Sequence, residues 1–164
     1  MLCDSEIRVN SITVEERVDR PAARDGVQIS FRFAVVNGQS VEHGTLMIPL
    51  SESISLGGNM MMAGAAQIEE LKGKGEVDGP LREAILEVGA FVAGALQSAL
   101  EALGWTDPGV EFEGCQGVAA AVPPVLEYEE GAPLIVGRAA LQLGSSAPAQ
   151  MVLVLPAAML RGGV

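Results

Sequence analysis

Aromatic side chains are scarce in this 164-residue chain, at 4% of the sequence: one Trp, one Tyr and four Phe. With 49% apolar residues, a core must be built from Val, Leu, Ile, Ala and Met, which pack as smooth, closely apposed layers. That apolar content excludes disorder over most of the length and predicts a single domain, 1–164. Basic residues are also few, 10 Lys and Arg against 21 Asp and Glu, a net charge of −11. Such a chain has little with which to neutralise phosphates, so no nucleic-acid partner is expected. An anionic membrane surface is disfavoured on the same ground. A partner with a basic face would be drawn in, and plain solubility is the other account of the charge.

Only two cysteines occur, Cys3 and Cys115, and a structural disulfide between them is not expected. This fits a reducing, cytoplasmic setting. His43 is the sole histidine, so a metal cage would need carboxylates and two distant cysteines. No metal and no cofactor are expected. The longest uncharged run, 139–160, is interrupted by Gln142, Ser145, Ser146, Pro148, Gln150 and Pro156. It predicts a buried hairpin, not membrane insertion. The opening MLCDSEIRV carries early charges and no apolar core, unlike a signal peptide.

What is present is an orderly run of elements. Residues 6–18 alternate apolar and polar at Ile7, Val9, Ile12 and Val14 with one slip, which predicts a strand, bulged at the slip, with one solvated face. Val27–Val36 alternates cleanly, Asn37-Gly38 signals a hairpin, and Gly44–Leu50 is the partner strand. Pro49, Ser51 as a possible N-cap and Glu52 open a helix over Ser51–Gln67. Its Gly57-Gly58 pair weakens the helix by roughly 1 kcal/mol per glycine and implies close approach of another backbone. A charged connector, 68–78, follows. Further strands are expected at Val110–Ala121, Leu134–Leu143 and Met151–Leu155, then one helical turn at Pro156–Leu160. Residues 52–65 and 83–96 share Glu first, Gly seventh and Ala-Gly-Ala near the end, a weak internal echo.

The most telling stretch is 79–104, a long helix opened by Asp78-Gly79-Pro80 and closed by Gly104. It is apolar almost all round. Glu83, Glu87 and Glu101 fall on one stripe, flanked by Gln97 and Ser98, and Ala90 and Gly94 interrupt it.

Glu87-Val88-Gly89-Ala90-Phe91-Val92-Ala93-Gly94 resembles the E-[IV]-[GA]-N-[IV]-[IV]-x-G helix of the CheC/CheX chemotaxis phosphatases. GTLMIPLSESISLGGNMMMAG resembles the strand and helix that precede it there. LIVGRAALQL…QMVLVLPAAML is similar to the closing hairpin of CheC and of the FliM middle domain. The similarity runs in order over about 27–160. It implies an α/β fold of the layered α+β kind, with two long helices packed on a mostly antiparallel sheet. It further implies that the motif helix docks a phosphorylated CheY-like receiver domain, its Glu on the receiver's lysine and its Asn holding the attacking water. Glu87 takes the Glu position, but Ala90 stands where the Asn belongs, and Glu83 stands four residues before Glu87 in place of Asp or Ser. The family's later proline is missing. In the first helix Asn59 is in the Asn place while Leu56 replaces the Glu.

An alanine methyl can neither donate nor accept a hydrogen bond. Losing one positioned polar group commonly costs about 10²–10³ in rate. The resemblance therefore implies a receiver-binding protein with Glu83, Glu87, Ala90 and Gly94 as its docking face and with phosphatase activity lost or weak. Two alternatives stand beside it. Asn59 and Glu87 form a split catalytic site, or the chain is a self-associating, flagellar-switch-like module or homodimer. For the carboxylates the plain reading is a solvated helix stripe, for Ala90 a small residue at a helix crossing, and for Asn59 an amide satisfied locally. There is no G-x-S-x-G elbow, and Gly73-Lys74-Gly75 is no phosphate loop. Met60-Met61-Met62 reads as core filling.

Overall fold

The computed structural model describes residues 6–22, 26–119 and 121–162. In chain order the elements are β1 (Ile7–Arg17), β2 (Gln28–Asn37), β3 (Ser40–Pro49), α1 (Leu50–Met60), α2 (Ala65–Lys74), α3 (Gly79–Ala102), β4 (Gly109–Val118), β5 (Leu134–Leu143), β6 (Ala149–Pro156) and α4 (Ala157–Gly162). The strands form one sheet in the order β1-β5-β6-β3-β2-β4, with every neighbouring pair antiparallel.

Two-residue periodicity divides the sheet into two faces. On one face Ile29, Phe31, Phe33 and Ile48 meet Ile54, Leu81, Ile85, Val88 and Leu100 from the helices. On the other, Met47, Leu134, Val136, Val152 and Val154 pack beneath Leu126 and Tyr128 from the segment joining β4 to β5. Ser30 and Thr45 lie fully buried, and their hydroxyls satisfy one another while Thr45 Oγ1 also donates to the Phe31 carbonyl.

Most expected elements are present, with corrections where tertiary contacts intervene. There is one long helix, α3, where the resemblance implied two. The stretch expected to be a single helix, Ser51–Gln67, breaks in two, and the expected connector over 68–78 is largely α2. Both helix ends have the same cap. In α3, Trp105 N–H bonds Leu100 O and Gly104 N–H bonds Glu101 O, with Gly104 left-handed at φ 95°. In α1, Ala63 N–H bonds Gly58 O and Met62 N–H bonds Asn59 O, with Met62 left-handed at φ 57°. A glycine announces the first stop in sequence. A methionine conceals the second. The helix begins directly after Pro49, so Ser51 lies inside it and is not the N-cap.

The slip in β1 is a bulge. Asn10 pairs Ala140 and Thr13 pairs Arg138, so β1 has one residue more than β5 between them, and Ser11 takes φ 56°. The bulge brings Ile7, Val9, Ile12 and Val14 to one face of the sheet. That face is not buried, contrary to the expectation of a single solvated side, for all of β1 except Arg17 is exposed.

Gly57 and Gly58 do admit close neighbours, but these are side chains. A Cβ on Gly57 would lie 2.8 Å from Ile85 of α3, and one on Gly58 would lie 2.7 Å from Ile68 of α2. The internal echo is met in part: α1 and α3 pack side by side with Gly57 against Ile85, but Ala63-Gly64-Ala65 straddles the gap before α2 while Ala93-Gly94-Ala95 lies within α3.

A Cβ at Gly89 would fall 2.1 Å from the Phe112 ring, whereas one at Gly73 meets nothing within 4 Å. Gly89→Ala is expected to lower unfolding free energy by about 1–3 kcal/mol. Gly73→Ala is expected to raise it by about 0.5–1 kcal/mol. Urea unfolding of both variants checks the pair. A neutral Gly89→Ala would show that α3 is not seated there.

Candidate docking face on the long helix

The rotation of α3 about its axis decides which residues face solvent. Leu81, Ala84, Ile85, Val88, Gly89, Ala93 and Leu100 are buried against the sheet and α1. Gly89 allows the helix to settle onto Phe112 of β4. Gln97 supports the same seating, because its Oε1 accepts from the Val110 N–H at 3.3 Å. Glu83 and Glu87 then point outward and are exposed. Among the described residues neither makes an ion pair or a hydrogen bond. Glu101, farther along the stripe, is held by Gln97 Nε2 at 3.4 Å.

Ala90 and Gly94 are exposed too, but their surroundings differ from those of the carboxylates. They lie on the wall of an apolar groove of about 720 Å³, floored by Ile7, Val9, Leu141 and Met151. A second hollow of about 330 Å³ continues it past Ile12, Ala139 and Leu153. Val9, Val92, Ala95 and Met151 border both. The expected stripe is therefore two surfaces, an acidic one at the N-terminal end of α3 and an apolar one at its middle. The groove was not read from the sequence. The apolar face of β1 is its only trace there, and alternation alone predicts that face to be buried.

Asn59 lies on α1, half-buried. Its Nδ2 donates to the Ser55 carbonyl of the preceding turn at 2.8 Å. Among the described residues no hydrogen bond joins it to Glu87.

His43 lies elsewhere, on the opposite face of the sheet from α3. Its Nδ1 is 2.8 Å from Glu113 Oε1 and its Nε2 is 3.4 Å from Glu127, which ties the β4–β5 segment to β3. Among the described residues no three His, Cys, Asp or Glu groups are arranged to hold a metal ion. Cys115 is a free thiol in β4, and burial raises its pKa against the opposing pull of Arg82 and Arg32. A raised pKa leaves less thiolate at neutral pH, so this group is a poor nucleophile.

No protein-family model matches the sequence, and no curated protein matches it. Solved structures do. The FliM middle domain from H. pylori aligns with 98% of this chain and 80% of its own, at 13% identity and a TM-score of 0.55. A CheC-like superfamily protein from Shewanella sp. PV-4 aligns with 94% of this chain and 86% of its own, at 10% identity and 0.56. The chemotaxis protein CheX from Vibrio vulnificus aligns with 94% and 87%, at 12% identity and 0.55. H. pylori FliM has also been solved in complexes with FliG and with SpeE. The six-stranded antiparallel sheet with α3 across its inner face is the fold shared by the CheC-like and CheX chemotaxis proteins and the FliM middle domain.

Proposed function

We propose that this chain is a single cytoplasmic domain of bacterial chemotaxis or two-component signalling that binds a CheY-like receiver through the outer face of α3. Glu83 and Glu87 supply the charge, and Ala90 and Gly94 supply the flat surface beside it. Phosphatase activity toward the receiver's aspartyl phosphate is lost or weak. The observation that carries this reading is the pairing of an exposed, unpartnered Glu87 with a methyl at Ala90, three residues on. A carboxylate there attracts a basic side chain of a partner. A methyl there cannot orient a water. The fold shared with CheC-like and CheX proteins supports the reading.

The split-site alternative is disfavoured, because Asn59 Nδ2 donates back to Ser55 on its own helix and, among the described residues, no hydrogen bond joins Asn59 to Glu87. A second reading, a binding module without receiver chemistry, draws on the complexes that FliM of this fold makes with FliG and SpeE.

Mixing the protein with a phosphorylated CheY-like receiver is expected to give a complex with little acceleration of phosphate loss. Fast turnover at substoichiometric protein would refute the inactive reading. Ala90→Asn is expected to raise any residual rate by about tenfold or more, and an unchanged rate counts against this helix as the site. Glu87→Lys is expected to weaken receiver binding by about tenfold, mainly through slower association, as read by surface plasmon resonance at low salt.

A further inference from the structure

Over β1 and the adjoining parts of β5 and β6 the inner face of the sheet opens into the apolar groove, and we propose that α3 of a second copy of this chain docks there, giving a two-fold dimer with one helical layer shared between two sheets.

The sheet itself is nearly two-fold. Leu46 of β3 pairs with Leu153 of β6 at its centre. On either side lies a hairpin, β2–β3 or β5–β6, that ends in proline and enters a helix. Leu50 N–H bonds Val27 O on one side, and Ala157 N–H bonds Pro133 O on the other. Outside the hairpins β4 pairs with β2 as β1 pairs with β5. The helix α3 covers β4 and β2. The equivalent position over β1 and β5 is the groove.

The floor of that groove is cut low. Gln28 pairs with Pro49 and Leu134 with Pro156, so the residues three and five further on correspond. These are Phe31 and Phe33 on the covered half, and Gly137 and Ala139 on the uncovered half. Small residues on the floor accept a bulky knob from above. Such a knob is present on the chain itself, since Phe91 of α3 is 55% exposed on the groove side. The rest of α3 has the same character. It is apolar enough to cross a membrane by length and composition, with a mean hydropathy of 1.3, yet only 33% of that stretch is buried. Ala90, Phe91, Gly94 and Ala95 are the exposed apolar part of its middle, and all four line the groove.

Ile7, Val9, Ile12, Val14 and Phe91 are 41–68% exposed. Together they present apolar surface on the order of 500 Å², at the upper end for a patch on a monomer. The small residues of α3 and the groove floor extend this toward the about 800 Å² per partner of a stable interface. Each copy carries both knob and floor, so one isologous contact covers both surfaces of both copies. Each copy also carries a charge of −11. The dimer therefore tightens as salt screens that repulsion.

The inference does not rest on receiver binding, and its test contains no receiver. Ala90 and Gly94 border the groove, so a docked second copy and a docked receiver compete for them. Sedimentation of the full chain over a micromolar concentration series is expected to approach twice 17.0 kDa, more readily at high salt. Phe91→Glu and Val9→Asp should each weaken the dimer more than tenfold, with Met62→Glu as the unaffected control. Gly94→Trp guards against misfolding, because a Cβ there meets nothing of its own chain within 4 Å. It too should give monomers, with an unchanged circular dichroism spectrum. A wild-type monomer throughout the series overturns the proposal. So does a dimer that survives Phe91→Glu and Gly94→Trp, which would place the contact on another surface such as a sheet edge.

Discussion

The seating of Gly89 on the Phe112 ring governs which residues of α3 face solvent. A Cβ there would fall 2.1 Å from the ring, so a larger residue forces α3 or Phe112 to move. Once that point is fixed, the helical repeat dictates the rest. Val88, Ile85 and Ala93 turn inward, Glu83 and Glu87 turn to solvent, and Ala90 and Gly94 look across the groove. The Gln97 bond to Val110 and the cap at Gly104 hold the far end in the same rotation.

The sheet beneath is built from two similar halves that are covered differently. On one half, Phe31, Phe33 and Phe112 build up a bulky floor for α3. On the other, Gly137 and Ala139 leave a trough, and the bulge at Ser11 turns four apolar residues of β1 toward it. The chain has few aromatic residues, and three of its four phenylalanines serve the covered half. The fourth, Phe91, stands on the rim of the trough.

The acidic surface and the groove give α3 two binding characters side by side. Charge at Glu83 and Glu87 acts at a distance and is screened by salt. Apolar area at the middle of the helix acts only on contact and gains from salt indirectly. Ala90 and Gly94 belong to the groove, and Ala90 lies three residues from Glu87, so the two surfaces adjoin. Occupation of the groove removes part of the face that a receiver would meet.

Much of this was legible in the sequence because it depends on local signals. Periodicity marked the strands, Asn37-Gly38 marked the hairpin, Pro80 and Gly104 bounded the long helix, and its acidic stripe did turn outward. The end of α1 was hidden because Met62 takes a left-handed conformation that glycine usually announces. The true internal repeat, Leu46-Met47-Ile48-Pro49 with Leu153-Val154-Leu155-Pro156, was masked by a weaker likeness between two helices. The burial of β1 could not be read at all. Alternation states which side of a strand is apolar, but only the arrangement of the other elements states whether anything lies on that side. The sequence by itself determined the elements, the absence of an amide at Ala90 and the stripe on α3. The tertiary structure alone decided how α3 is rotated on the sheet and that the apolar face of β1 stands exposed, because both depend on contacts between residues far apart in the chain.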